Sequence, residues 1–326
     1  LSGGQKAVLY PGLGNRHFGT PVAYPSFNAL AYVTGAFAGG GVPDVAEIGY
    51  GAVATLLNAR LGATVRPVAV LVGTPAILSV SASGYGPLSY QWRKNGTPLA
   101  DGGSISGATT ATLTIDPAAF QDAGTYDVVV TDSCTTAASN AASLAVEFAD
   151  VPPSNIFHGD IITIATAGVT AGCGGSDYCP SALVTRAQMA VFLLRSEHGG
   201  AYTPPPCTNL FADVPCPSAY ADWIDQLANE GVTAGCGNGD YCPDASITRA
   251  QMAVFLLKTK LGSGYVPPAW TPIFGDVPST AFAADWIDDL YTRGIAGGCS
   301  VSPLLYCPDN PINRGQMAAF LVNTFF

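Results

Sequence analysis

The chain has 326 residues, 48% of them apolar and 11% charged, which allows two or three packed domains and excludes a disordered chain. Its net charge of −10 divides as +1 over residues 1–65, −3 over 66–147 and −8 over 148–326, with no basic stripe to meet nucleic acid or an anionic lipid surface. The longest uncharged run, Gly19 to Pro43, holds three prolines and a triple glycine, so it cannot form the apolar helix of about 20 residues that a bilayer span needs.

Residues 1–65 form a small Gly- and aromatic-rich segment through Tyr10, Phe18, Tyr24, Phe27, Tyr32 and Phe37. Pro43-Asp44-Val45-Ala46-Glu47 reads as a helix cap, with Val45, Ile48, Ala52, Val53, Leu56 and Leu57 on one helical face. Gly49 and Gly51 each weaken that helix by about 1 kcal/mol. So short a segment has a meagre core of its own. It is expected to lean on its neighbours, on another subunit or on a missing larger domain. The chain shows no signal peptide and does not begin with Met, which reads as a processed or cut N-terminus.

Residues 66–147 alternate strand-like runs with turn signals: Ala76–Ser81, Leu88–Lys94, Ala111–Ile115, Tyr126–Thr131 and Ala142–Val146. Trp92 supplies a core aromatic, Asn95-Gly96 is a hairpin turn, and Asp122-x-Gly124-x-Tyr126 has the form of a tyrosine corner. These features resemble an immunoglobulin-type β-sandwich of the bacterial surface kind. The second cysteine of an antibody domain would fall at Val128, so its inter-sheet disulfide is missing. The resemblance implies a spacer or contact module.

Residues 148–326 are one sequence written three times, as 148–210, 211–273 and 274–326. Phe148-Ala-Asp150-Val151, Phe211-Ala-Asp213-Val214 and Phe274-Gly-Asp276-Val277 start at intervals of 63, as do Gly168, Gly231 and Gly294. Thr185-Arg186-Ala-Gln188 recurs as Thr248-Arg249-Ala-Gln251 and as Asn313-Arg314-Gly315-Gln316. Thr-x-x-Gln is a capping box at a helix start. In the second copy Trp223, Ile224 and Leu227 share one face of an earlier helix, which Gly231 ends. Each copy is thus a helix–loop–helix unit, too small to bury its own apolar face, and the three are expected to pack into one body.

Eight of the nine cysteines fall in close pairs: Cys173–Cys179, Cys236–Cys242 and Cys299–Cys307 around Gly-rich loops, and Cys207–Cys216 around a proline-rich linker. As disulfides they point to an oxidising compartment, each contributing roughly 2 kcal/mol through loop entropy. Zinc is the competing reading. It wants four ligands, and none of His17, His158 and His198 lies beside a pair. Cys134 is left over, as a buried small residue, half of an intermolecular bridge or an unmatched thiol.

The repeated motifs resemble the S-layer homology (SLH) family over about 178 residues. The chain departs from it in having Gln188, Gln251 and Gln316 where the family has Glu, and Asp160 where the other two copies have Trp. The resemblance implies an all-α, three-repeat pseudo-trimer bundle that attaches surface proteins non-covalently to cell-wall polysaccharide, often sugar carrying an acidic group. It places Arg186, Arg249 and Arg314 at the anionic sugar and Trp223 and Trp286 in the groove.

The residues themselves leave alternatives open. An Arg in the first turn of a helix works against the macrodipole, so it needs a carboxylate, from a ligand sugar or from Asp150, Asp213 or Asp276. Trp223 and Trp286 stack on a sugar or belong to a core. The loop acids Asp177 and Asp240 can offer oxygen ligands to Ca²⁺, though not at EF-hand spacing; no other cofactor is expected. The histidines form no nucleophile–base pattern, so catalysis has no candidate residues.

The multidomain chain therefore reads as a non-enzymatic, extracellular protein of a bacterial cell surface, anchored or assembled through its SLH triad on wall glycan. Its partners are wall polysaccharide, copies of itself, or both, with no membrane insertion. The alternative is a self-assembling subunit of a surface array or filament, in which the N-terminal segment and immunoglobulin-like domain make the contacts between subunits. A third reading is a fragment of a larger exoenzyme.

Overall fold

The computed structural model describes residues 61–326 apart from Tyr85, Gly86 and Cys134, and the backbone of five short strands within residues 1–60. Strands β1 (Ala7–Leu9) and β2 (Val22–Tyr24) pair, and β3 (Ala31–Gly35), β4 (Asp44–Ile48) and β5 (Thr55–Leu57) form an antiparallel sheet. The helix expected between Pro43 and Leu57 is corrected by this pairing. β-Branched Val45, Ile48 and Thr55 favour extended backbone, and Gly49 and Gly51 oppose a helix between them. The aromatic side chains expected in this segment lie outside the described residues, as does Cys134.

Two compact units follow from the contacts within the chain. One comprises residues 1–70, 74–118 and 122–145; the other comprises 71–73, 119–121 and 146–326. The next ten strands are β6 (Gly62–Val65), β7 (Val68–Leu71), β8 (Ala76–Ser83), β9 (Ser89–Lys94), β10 (Thr97–Pro98), β11 (Ile105–Ser106), β12 (Thr112–Ile115), β13 (Gly124–Thr131), β14 (Thr136–Ala138) and β15 (Ala142–Glu147). They build two sheets, ordered β11-β12-β8-β6 and β10-β9-β13-β15-β7, with β14 also on β13.

Alternation along the strands points one face of each sheet inward, where Leu78, Trp92, Leu113, Ile115, Tyr126, Val128 and Leu144 are buried. Trp92 lies opposite Val128 in register, and its indole N–H donates to the Thr110 carbonyl at 2.9 Å. Asn95 (φ 49°) and Gly96 (φ 82°) turn β9 into β10, in the left-handed conformation that a two-residue hairpin requires. The Tyr126 hydroxyl donates to the Asp122 carbonyl at 2.7 Å, which closes the tyrosine corner.

The repeats supply helices α1 (His158–Thr166), α2 (Arg186–His198), α3 (Ala221–Asn229), α4 (Arg249–Leu261), α5 (Ala284–Thr292) and α6 (Arg314–Phe325), with a small hairpin, β16 (Ser300–Val301) and β17 (Leu304–Leu305), before α6. The hairpin carries the insertion in the third copy. Thr185, Thr248 and Asn313 each accept from the backbone N–H three residues on, and Gln188, Gln251 and Gln316 reach back to the cap N–H. Only the acceptor oxygen is used in that return bond, so an amide serves where a carboxylate would add charge. Gly231 (φ 72°) stops α3 by donating to the Ala228 carbonyl.

The second helix of each copy packs on the first helix of the next: α2 on α3, α4 on α5, and α6 back on α1. Helices α2, α4 and α6 also pack on one another, burying Met189, Leu193, Met252, Leu256, Met317 and Leu321 completely. Each such side chain contributes about 1.5–3 kcal/mol of burial. Backbone bonds close the same circuit: Val184 N–H donates to Ile312, Ile312 to Ile247, and Ile247 to Val184, all at 3.0 Å. In the third copy Gly315 replaces alanine because Phe157, at the start of α1, fills the space. A Cβ on Gly315 would lie 2.4 Å from the Phe157 ring.

Four disulfides join Cys173 to Cys179, Cys207 to Cys216, Cys236 to Cys242, and Cys299 to Cys307. Zinc is thereby corrected, since a sulfur bonded to sulfur is no thiolate ligand. Among the described residues, no helix is long and apolar enough to cross a membrane.

Candidate functional site

The three motif arginines are buried, with 5%, 7% and 6% of Arg186, Arg249 and Arg314 exposed. Each side chain crosses into the next copy. Arg186 Nε donates to the Tyr241 carbonyl, Arg249 Nε to Tyr306 and Arg314 Nε to Tyr178, all at 2.8 Å. The tyrosine hydroxyls return the bond to the carbonyls of the same arginines at 2.8, 3.2 and 2.8 Å. Each guanidinium also faces two rings: Tyr241 at 4.7 Å and Phe255 at 5.6 Å for Arg186, Tyr306 at 4.4 Å and Phe320 at 5.5 Å for Arg249, and Tyr178 at 4.6 Å and Phe192 at 5.4 Å for Arg314. Carbonyl dipoles and ring faces therefore offset what the helix N-terminus costs a cation. Burial pulls all three guanidinium pKa values down, opposed by the partner tyrosine and then the motif aspartate.

Asp150, Asp213 and Asp276 make no hydrogen bond to these guanidinium groups. Each carboxylate instead accepts two backbone N–H groups at the disulfide loop, Tyr178 and Cys179, Tyr241 and Cys242, or Tyr306 and Cys307, at 2.7–2.8 Å. The Phe of each Phe-x-Asp-Val packs on the same tyrosine, with centroids 5.3–5.4 Å apart. Tyr178, Tyr241 and Tyr306 are fully buried, and burial pushes the Tyr306 hydroxyl up to about 12 and the other two higher still. Sequence reading passed over these tyrosines, although Tyr-Cys-Pro recurs at 178, 241 and 306.

A cavity of about 350 Å³ opens where the three copies meet. Val169–Cys173, Leu183, Gln188 and Arg195 come from the first copy, Tyr220 from the second and Arg314 from the third. Of the five residues expected in a groove, Arg314 lines this cavity. Arg186 and Arg249 lie in the neighbouring seams. Trp223 is half-buried behind the lining, with the Arg195 guanidinium 5.2 Å from its ring. Trp286 is half-buried against the edge of Tyr265 at 6.0 Å.

The lining has two arginines and no carboxylate. Glu230, the acid that ends α3, is engaged by His198 at 2.9 Å and by Gln226 at 2.7 Å. Arg195 was missed in the sequence. The available signal was its divergence, since Lys258 and Asn323 stand at the equivalent positions of α4 and α6.

Asp177 and Asp240 close tight turns through backbone bridges to Gly174 and Gly237. Among the described residues, three metal-ligating side chains converge only at Asp276, Cys299 and Cys307. There the sulfurs are joined to each other and the carboxylate holds two N–H groups.

Residues 59–146 match the family model of the immunoglobulin I-set domain, and residues 147–190 and 211–253 match that of the S-layer homology domain. An immunoglobulin-like domain is followed here by S-layer homology repeats. Neither family is catalytic, SLH domains associate with cell surfaces, and the disulfides fit an extracellular setting.

A decoration protein of Escherichia phage T5 is 47% identical over 62 residues, 19% of this chain and 34% of that protein. The match thus spans about a third of that relative's length. Titin domain M10, solved with obscurin-like 1, is 29% identical, covering 27% of this chain and 95% of that one with a TM-score of 0.24. Titin M3 is 25% identical, with the same coverage and TM-score.

Proposed function

We propose that this chain is a non-enzymatic surface protein whose SLH repeats hold it to acidic cell-wall glycan, with the cavity between Arg195 and Arg314 as the sugar site. The observation that carries this reading is the pair of guanidinium groups lining a carboxylate-free cavity in a chain of net charge −10. A neutral sugar would supply no counter-charge to these cations, whereas an acidic one brings a negative group that guanidinium donors can bind. The immunoglobulin-like domain then serves as a spacer. The stretch shared with a phage decoration protein fits a place on an outer surface.

The test is sedimentation with purified wall sacculi. Leu183 lines the cavity and is 48% exposed, so Leu183→Asp adds a carboxylate at the rim at little cost to the fold. Binding is expected to fall at least tenfold in this variant and to weaken in 0.5 M salt. Wild-type protein that stays in the supernatant, or a variant that sediments as fully as wild type, refutes the reading.

A further inference from the structure

We propose that the cavity selects a dianionic substituent on its sugar, such as a phosphate monoester, and that Arg195 is the residue that sets this preference. The inference rests on the reading of the cavity as the glycan site and specifies the charge of what enters it.

The two arginines differ in how far the protein already satisfies them. Arg314 gives Nε to the Tyr178 carbonyl at 2.8 Å and Nη2 to Gly172 at 3.1 Å, between two ring faces. The motif acid Asp150 spends both oxygens on backbone N–H groups but still acts on it through space. Arg195 has far less. Its Nε is buried with no hydrogen-bond partner, and among the described residues no carboxylate lies within ion-pair distance of it. Trp223 holds the guanidinium by its face, which orients a cation without neutralising it.

Arg314 alone is enough for a monoanion. Arg195 adds a second positive charge on the same cavity, and like charges sharing a site raise its energy until an anion enters. A phosphate monoester carries nearly two negative charges above its second pKa of about 6 and offers three acceptor oxygens, enough for both guanidinium groups. The cavity's roughly 350 Å³ lies at the small end of the range for ligand sites, which suits a single sugar unit. At the equivalent helix positions Asn323 carries no charge and Lys258 carries a point charge without the planar fork of a guanidinium, so the paired guanidinium groups belong to the first copy's cavity.

The test is titration calorimetry of the full chain at pH 7.5 and low salt with glucose 6-phosphate, glucuronic acid, glucose and inorganic phosphate, beside the sacculus assay. Glucose 6-phosphate is expected to bind at least tenfold more tightly than glucuronic acid or inorganic phosphate, and glucose not measurably. Arg195→Gln should remove the preference, lowering glucose 6-phosphate affinity at least tenfold more than it lowers glucuronic acid affinity. The preference should also shrink at pH 5, where the phosphate is a monoanion.

Equal affinity for the two acidic sugars, or a ratio unchanged in Arg195→Gln, overturns the proposal while leaving glycan anchoring intact. Equal binding of inorganic phosphate and glucose 6-phosphate overturns it as well, since the cavity then takes an anion without its sugar. Failure of every sugar together with failure to sediment with sacculi removes the anchoring reading too.

Discussion

Gly315→Ala probes the joint between the last repeat and the first. Two effects oppose each other. Alanine in place of glycine in the first turn of α6 gains up to about 1 kcal/mol of helix propensity. The new Cβ, however, would lie 2.4, 3.0 and 3.1 Å from three atoms of the Phe157 ring, closer than carbon atoms pack. Overpacking of this kind costs about 1–3 kcal/mol. Phe157 is half-buried and can swing outward in part, which sets the clash near the middle of that range. The net expectation is a loss of about 1 kcal/mol.

In a Phe157→Ala background the clash disappears and only the propensity gain remains, so the same substitution should stabilise by about 0.5–1 kcal/mol. The coupling between the two positions is then about 2 kcal/mol, readable from urea unfolding of the four proteins with their disulfides intact. Residues 157 and 315 belong to the first and third copies, and they couple only if α6 returns to the start of α1. A stabilising Gly315→Ala in the wild-type background, or a coupling below about 0.5 kcal/mol, refutes the closed circuit.

Two further outcomes follow from the buried arginine–tyrosine pairs. Arg249→Met should lower unfolding free energy by about 3 kcal/mol, because the Tyr306 and Gly297 carbonyls that accept from Arg249 at 2.8 Å lose a charged donor; a variant as stable as wild type in urea would place this arginine outside the framework. Tyr306 is held at about 12 against an ordinary value near 10. Its stabilisation of the protonated form, about 2–3 kcal/mol, is therefore fully present below about pH 10 and lost as pH rises through about 12. Unfolding free energy should fall over that window, with tyrosinate absorbance rising in step, and Tyr306→Phe should flatten part of the slope; identical slopes would contradict the linkage.

The motif arginines show how a repeated residue can be framework. Their place in the first turn of each helix requires a partner for the positive charge. The partners are carbonyls and ring faces of the next copy, with the motif aspartates one layer behind, pinning the loop that presents those carbonyls. Substituting such an arginine tests stability before it tests binding. Leu183 and Arg195, both at the cavity surface, are the cleaner probes.

Much of this protein could be read from short-range rules in its sequence. The interval of 63 residues marks out the copies, Thr-x-x-Gln marks the capped helix starts, and Asn95-Gly96 marks a hairpin, because each depends on hydrogen bonds or backbone angles within a few residues. The same rules misjudged residues 43–57, where the apolar spacing suits a helix but the glycines and β-branched residues belong to paired strands. They also could not say which arginine meets a cavity, since Thr-Arg and Asn-Arg look alike in all three copies. Tertiary structure decided that point by bringing Arg195, Tyr220 and Arg314 together from three separate copies. The reason is physical: a capping bond is settled by neighbours in the chain, whereas the charge and volume of a cavity are sums over residues that only folding makes adjacent.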